Sequence, residues 1–571
     1  MKKKLHIIVS LLVLTSMLAA ALPVFADHHG GALEANLKTM LSTMVGYNTV
    51  KADALLVEMA EDAPPFLLDV RTTGELEENG HIEGAAHIQL ADLAKNLDLL
   101  PSFDTPVVAY CGSGWRATIA MTALHGLGWT DVRALKTTFA DWVEAGNPVA
   151  EGVPEAVALN AAEVDAAIVA DADAALSAYG VKPFGVIDAE GLNTALVEDS
   201  EMIVMDVRTT GEWTGKGIVD TGGVELVSVP LERFLAQESL WPADKDAHIV
   251  IYCGSGHRST MAMAIMWLHG YTNVSSLKGG FGGWAEAEYP VAEYAAPDLA
   301  TPYAEMLANM AKYNTVKADD LLLEMAEDTP PFLLDVRTTG ELVENGHIEG
   351  ATHIQLNELA ANLDLLPSFD TPIVAYCGSG WRATIAMTAL HGLGWTDVRA
   401  LKTTFADWVE AGNPVAEGVP EAMVLDAAAV DPTAAVFMDA TLGAKGVKPF
   451  GVIDADGLNT ALIEDPEMVV IDVRTLGELE EKGVIDTGEA ALVHIALEEF
   501  MAQMENWPAK DAHLVVYCGS GHRSTMAMTV LWSYGYSNVS SLKGGFGGWA
   551  EAEYPVAEFV EIGRASCRER V

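Results

Sequence analysis

The sequence predicts a repeated α/β chain of four like domains, and three observations predict it. The hexapeptide Cys-Gly-Ser-Gly-x-Arg occurs four times, at Cys111–Arg116, Cys253–Arg258, Cys377–Arg382 and Cys518–Arg523. Each copy follows a short apolar run and precedes a helical pattern, so each reads as strand, tight loop and helix. The chain also repeats itself: Cys111 and Cys377 lie 266 residues apart, Cys253 and Cys518 265 apart, and Cys111–Ala156 reappears unchanged at Cys377–Ala422. It is a duplication of a duplication.

The elements follow in order. Met1–Ala26 reads as a secretory signal: Lys2, Lys3 and Lys4, an apolar run Leu5–Leu22, then the small-residue site Val24-Phe25-Ala26. An uncleaved anchor is the alternative. Cleavage after Ala26 would expose Asp27-His28-His29, either a plain polar end or a nitrogen chelate for Cu(II) or Ni(II). In residues 27–46, Leu33, Leu37, Met40, Leu41 and Met44 keep helical spacing. Domain 1 spans 47–150 and opens with a helix-like run Val50–Leu56; in it Pro106–Tyr110 reads as a buried strand and Ala117–Gly126 as a helix. The Ala-rich, acidic stretch 151–183 is apolar enough to form short helices over the junction. Domain 2 covers 184–296 and opens with a helix-like Ile187–Leu192. A helical linker at 297–312, domain 3 at 313–416, a second acidic stretch at 417–449 and domain 4 at 450–561 repeat the scheme. The basic end 562–571 is foreign to an acidic chain and reads as a translated sequencing adapter, so Cys567 receives no role.

The other four cysteines all stand in the one kind of loop. Gly112 and Gly114 let the backbone curl, and so do Gly254 and Gly256, Gly378 and Gly380, Gly519 and Gly521. With Ser113, Ser255, Ser379 and Ser520 these residues form a cradle whose N–H groups suit an anion. The helix dipole and Arg116, Arg258, Arg382 or Arg523 favour thiolate over thiol. A thiolate can take a sulfur atom from a donor and hold it as a persulfide. Cys111, Cys253, Cys377 and Cys518 are therefore the candidate nucleophiles. Apolar packing of an inert cysteine is the plainer reading, but packing does not require this loop around it.

Further motifs surround each loop. Leu68-Asp69-Val70-Arg71 and Gly80-His81-Ile82-Glu83-Gly84-Ala85 lie upstream; Leu277-Lys278-Gly279-Gly280-Phe281, Trp284 and Pro290-Val291 lie downstream. With these the chain resembles the rhodanese-like sulfurtransferases. The resemblance implies a small α/β domain with a central parallel sheet flanked by helices, repeated four times, and a cysteine that cycles between thiol and persulfide. It implies that the loop arginine helps hold an anionic donor, aided by the arginine of Asp-x-Arg. That second arginine is Arg71, Arg208, Arg337 or Arg474; a structural ion pair with Asp69, Asp206, Asp335 or Asp472 is the equal alternative. It implies no cofactor and no metal. The six-residue loop is the form of the sulfurtransferases; related phosphatases and arsenate reductases have one residue more. Its Cys-Gly-Ser-Gly start is similar to the mercaptopyruvate enzymes, but Trp-Arg or His-Arg follows where Val-Thr is usual.

The domains come in two kinds. Domains 1 and 3 carry Trp115 and Trp381 in the loop and Lys-Thr-Thr-Phe at Lys136 and Lys402. Domains 2 and 4 carry His257 and His522, Lys-Gly-Gly-Phe, and Lys216–Gly222 or Lys482–Gly488 in place of Gly-His-Ile. The histidine either bonds a donor or faces solvent at the rim. The glycines would let the backbone approach the loop closely. The two kinds are expected to differ in donor preference or pH profile.

The formal net charge of −48 repels nucleic acid and anionic lipid. It also repels anionic donors at long range, so the loop must act locally. The expected partners are a small sulfur-donor anion (thiosulfate, polysulfide or mercaptopyruvate) and a thiol or cyanide acceptor, with a protein acceptor also open. Neither nucleic acid nor, after signal cleavage, a membrane is expected. The expected function is an exported, periplasmic or extracellular sulfurtransferase. The alternatives are a non-catalytic sulfur carrier and, against the loop length, a phosphatase or arsenate reductase.

Overall fold

The computed structural model describes residues 31–159, 163–425 and 430–559. The signal sequence, Asp27-His28-His29 and the basic tail lie outside the described residues. Contacts group the described residues into two compact units, one within 1–185 with 263–272 and one within 186–262 with 273–571.

In the first unit, domain 1 holds a five-stranded sheet in the order Thr49–Val50, Val132–Leu135, Val107–Tyr110, Phe66–Asp69, Ala86–His87. Every pairing is parallel. The central strand Val107–Tyr110 is buried along its whole length, as expected where helices cover both faces. The helix Ala32–Thr43 packs on the helix Trp115–Leu127. They cross at Gly126, where a Cβ would stand 2.8 Å from Leu33 Cδ1.

The second unit repeats the sheet in domains 2, 3 and 4, again all parallel. Domain 3 orders its strands Thr315–Val316, Val398–Leu401, Ile373–Tyr376, Phe332–Asp335, Thr352–His353. A two-stranded antiparallel pair completes each domain, His347–Ile348 with Val415–Ala416 in domain 3 and Val484–Ile485 with Val556–Ala557 in domain 4. The Lys482–Gly488 segment thus forms the same strand as Gly-His-Ile.

Val50 and Ile187, expected at the start of helices, end short strands instead; the helices begin at Ala52 and Ala189. Both are β-branched and pair at the sheet edge. The acidic stretches contain the helices Ala166–Tyr179 and Pro432–Lys445, each packed on a 3₁₀ segment, Leu90–Lys95 and Leu356–Ala361 respectively. The buried carboxylate of Asp439, on the second, accepts two hydrogen bonds from Arg233 of domain 2 at 2.9 and 2.7 Å. Helix Ala300–Asn309 lies on helix Trp381–Gly392, which in turn packs on His522–Ser533. Domains 3 and 4 consequently share one apolar core that includes Cys377 and Cys518. Among the described residues no helix is long and apolar enough to cross a membrane.

Candidate active site: four cysteine loops

Each cysteine ends a central strand, and the chain turns at once into a helix. The turn needs a left-handed residue at the helix N-cap: φ is +91° at Gly114 and Gly380, +105° at Gly256 and +104° at Gly521. Only glycine takes this conformation without cost. The turn aims that glycine's N–H at the sulfur. Gly114, Gly256, Gly380 and Gly521 donate to Sγ of Cys111, Cys253, Cys377 and Cys518, each at 3.1 Å. The sulfurs sit at the floor of their loops and the four cysteines are free thiols, each at most 2 % exposed. Ser113, Ser255, Ser379 and Ser520 stand exposed at the loop tips.

The loop arginines are already paired. Arg116 donates to Glu75 at 2.6 and 2.7 Å, Arg258 to Glu212 at 2.7 and 2.7 Å, Arg382 to Glu341 at 2.5 and 2.7 Å, and Arg523 to Glu478 at 2.7 and 2.6 Å. Each glutamate is also the third residue of a capping box, accepting the N–H of Thr72, Thr209, Thr338 or Thr475. Burial pushes the Glu75, Glu212 and Glu341 carboxyls up, but the arginine and threonine donors outweigh it and hold each at about 2. Arg523 and Thr475, against burial, hold Glu478 at about 2. The arginines remain beside the sulfur. Burial works against the Arg116, Arg382 and Arg523 charges, yet the glutamate and the loop cysteine keep each above its ordinary value.

The arginines of Asp-x-Arg play a different part. Arg71, Arg208, Arg337 and Arg474 are at most 2 % exposed. Arg337 donates from Nε to Asp335 at 3.0 Å and from Nη2 to Asp335 at 2.5 Å and to the Gly346 carbonyl at 2.6 Å. Its guanidinium lies 3.8 Å over the Phe405 ring. The other three repeat the pattern. Enclosed this way, they tie the strand end to the turn before the antiparallel pair. Of the two roles expected for them, the geometry supports the structural ion pair.

Two features separate the two kinds of domain; the first escapes the sequence reading, and the second is the close glycine approach expected from it. Ser259 Oγ stands 3.5 Å from Cys253 Sγ and Ser524 Oγ 3.6 Å from Cys518 Sγ. Each shares a hydrogen bond of 2.9 Å with a second buried serine, Ser276 or Ser541. Domains 1 and 3 have Ala117 and Ala134, or Ala383 and Ala400, at these places. The signal was there: the residue directly after each hexapeptide is serine or alanine. The second feature is how the loop closes. In domain 2, Gly280 has φ +57° and a Cβ there would meet the Cys253 carbonyl oxygen at 2.3 Å. Phe281 and Gly282 then donate to the Cys253 and Gly254 carbonyls at 2.6 and 3.0 Å. In domain 1 Thr138 instead caps its helix at φ −85°, and the single bond is Phe139 N–H to the Gly112 carbonyl at 3.3 Å.

His522 is not a free, solvent-facing rim residue, because both ring nitrogens have partners. It is half-buried in the junction of domains 3 and 4, with Nδ1 2.9 Å from Thr384 Oγ1 and Nε2 donating to the Tyr313 carbonyl at 2.8 Å. Burial holds its imidazole below the ordinary value. Among the described residues no group of three or more His, Cys, Asp or Glu is placed to hold a metal ion.

The rhodanese-like domain family model matches residues 52–145, 189–287, 318–411 and 456–552, one match around each loop. The chain belongs to the rhodanese-like sulfurtransferase family. This rhodanese-like chain is 32 % identical over 105 residues to a sulfurtransferase from Allochromatium vinosum, covering 18 % of the chain and 92 % of that protein. It is 26 % identical over 189 residues to the 3-mercaptopyruvate sulfurtransferase of Escherichia coli, covering 29 % of the chain and 66 % of that enzyme. A solved thiosulfate sulfurtransferase from Pseudomonas aeruginosa aligns at 21 % identity over 89 % of this chain and 90 % of its own, with a TM-score of 0.20.

Proposed function

We propose that this sulfurtransferase carries sulfane sulfur as a persulfide on Cys111, Cys253, Cys377 and Cys518. The observation that carries the reading is the backbone N–H held 3.1 Å from each sulfur at a helix N-terminus. That donor, the dipole behind it and the nearby arginine stabilise negative charge on sulfur. They would serve a persulfide anion as they serve a thiolate.

The chemistry is two displacements. The thiolate attacks the outer sulfur of thiosulfate; the S–S bond breaks, sulfite leaves with the electron pair, and Cys–S–S⁻ remains. An acceptor thiolate or cyanide then attacks the outer sulfur and the cysteine leaves as thiolate. No external oxidant or reductant is needed. Polysulfide and mercaptopyruvate are the other donors of the class. The names of the relatives support mercaptopyruvate and thiosulfate alike. The basic, apolar start at Met1–Ala26 supports action outside the cytoplasm.

Mass spectrometry of the protein after exposure to each donor tests the reading. Peptides containing the four loop cysteines are expected to gain one sulfur, lost again on adding cyanide. A chain with all four cysteines changed to Ser is expected to keep its fold and lose turnover; turnover undiminished in that chain overturns the assignment.

A further inference from the structure

The two loops of domains 3 and 4 meet head-on, because the helices behind them pack on each other. The Trp381 indole lies on the opposite loop: a Cβ on Gly521 would stand 2.1 Å from Trp381 Cη2. Gly521 is the residue whose N–H holds the Cys518 sulfur. The contact is returned. His522 Nδ1 bonds Thr384 Oγ1, which lies 2.9 Å from the carbonyl of Gly380, and Gly380 N–H holds the Cys377 sulfur. The loop arginines are roofed the same way. Tyr313, at the entry to domain 3, lies over Arg523 at 5.0 Å, and Phe450, at the entry to domain 4, lies over Arg382 at 5.1 Å. Both aromatic residues have φ +57°, a conformation that bulky side chains rarely adopt. Each is held there to reach across.

Between the loops lies a cavity of about 430 Å³, lined by Ser379 and Trp381 from one loop and Ser520 and His522 from the other, with Lys312 and Lys402 at its edge. That volume suits one small organic ligand. The two ammonium groups are exposed and enter no ion pair among the described residues; against one carboxylate in the lining, Asp407, they leave the cavity locally positive on a chain of net charge −48.

We propose that Cys377 and Cys518 share this single vestibule for a small anionic sulfur compound, each loop forming a wall of the other's entrance. Trp381 is then a specificity residue for the reaction at Cys518, and His522 one for the reaction at Cys377. The inference rests on the sulfurtransfer reading and extends it to how the sites are entered.

The test uses full-length chains that keep one loop cysteine, the other three changed to Ser. In the Cys518 chain, Trp381→Ala is expected to change KM for thiosulfate by about fivefold, the scale of one aromatic contact, with kcat moved less. In the Cys377 chain, His522→Asn is expected to act likewise. The same substitutions should change the rate at which iodoacetate, an anion, alkylates the cysteine of the other domain more than they change the rate for neutral iodoacetamide. Trp381→His, which borrows the residue of domains 2 and 4, gives a second variant with the loop filled. Unchanged KM and unchanged alkylation across the junction overturn the shared vestibule. If no single-cysteine chain transfers sulfur, the sulfurtransfer reading fails, and the alkylation comparison still decides the vestibule.

Discussion

Glu341 accepts hydrogen bonds from both terminal nitrogens of Arg382, at 2.5 and 2.7 Å, while its Oε2 also accepts the N–H of Thr338 at 2.9 Å. One carboxylate thereby ties the cysteine loop to the helix that follows the neighbouring strand. The loop arginine is anchored before any donor arrives. Its fixed charge then acts on the sulfur together with the backbone N–H and the helix dipole.

Acid should therefore loosen the loops. The Glu341 carboxyl is held at about 2, below its unfolded value near 4.5. A depressed carboxyl stabilises the fold fully above the unfolded value and loses that contribution as pH falls toward the folded one. Tryptophan fluorescence and hydrogen exchange of the helix Thr339–Asn345 should register loosening between those values. Arg382→Met should remove the acid-sensitive part for domain 3. An acid profile identical in the variant would show that the pair does not carry it.

The glycines of domains 2 and 4 make a sharper prediction. Gly545 has φ +57°, and a Cβ there would meet the Cys518 carbonyl oxygen at 2.3 Å. Gly545→Ala should cost about 1–3 kcal/mol in backbone strain alone, and the overlap should push the Cys518 loop out of place. Peptide mass spectrometry should find sulfur loading reduced at Cys518 well beyond any change at Cys111. Equal loading at the two would mean that the close approach is incidental.

Ser524 should set part of the difference between the two kinds of site. Ser524→Ala removes a hydroxyl 3.6 Å from the Cys518 sulfur and leaves Ser541 with Thr525 as partner. The loss of a hydrogen bond of roughly 0.5–1.5 kcal/mol corresponds to about a two- to tenfold slower alkylation at neutral pH. The measurement is the iodoacetamide rate in a chain keeping Cys518 alone. A rate that does not move would return the serine to a purely packing role.

Much of this was legible in the sequence where the governing interaction is local. The strand–loop–helix order, the need for glycine at the turn and the aim of the helix at the cysteine all follow from residues within one motif. What was not legible depends on partners brought together by parallel crossovers. Arg116 meets Glu75 across 41 positions, and Arg523 meets Glu478 across 45. No spacing rule announces those pairs. The setting of His522 is hidden for the same reason: its partners Thr384 and Tyr313 belong to another domain. Arg71 stays between two roles in the sequence because Asp-x-Arg looks the same whether the arginine faces a ligand or its own aspartate.

That last ambiguity yields a decisive variant pair. Arg337 and Asp335 are enclosed, and removing one charge strands the other. Arg337→Met alone should destabilise domain 3 by about 3–5 kcal/mol, because the buried Asp335 carboxylate loses its partner. Changing both, Asp335→Leu with Arg337→Met, removes the uncompensated charge and should recover most of that loss. Hydrogen exchange of the strand Phe332–Asp335 reports the stability, and thiosulfate KM in a chain keeping Cys377 alone reports donor binding. A structural arginine predicts fast exchange in the single variant, slower exchange in the double, and a double-variant KM close to that of the parent. A donor-binding arginine predicts the reverse in the second measurement: KM would stay raised in the double variant even with the strand protected again. The burial of the guanidinium, and its bonds to Asp335 and the Gly346 carbonyl, argue for the first outcome.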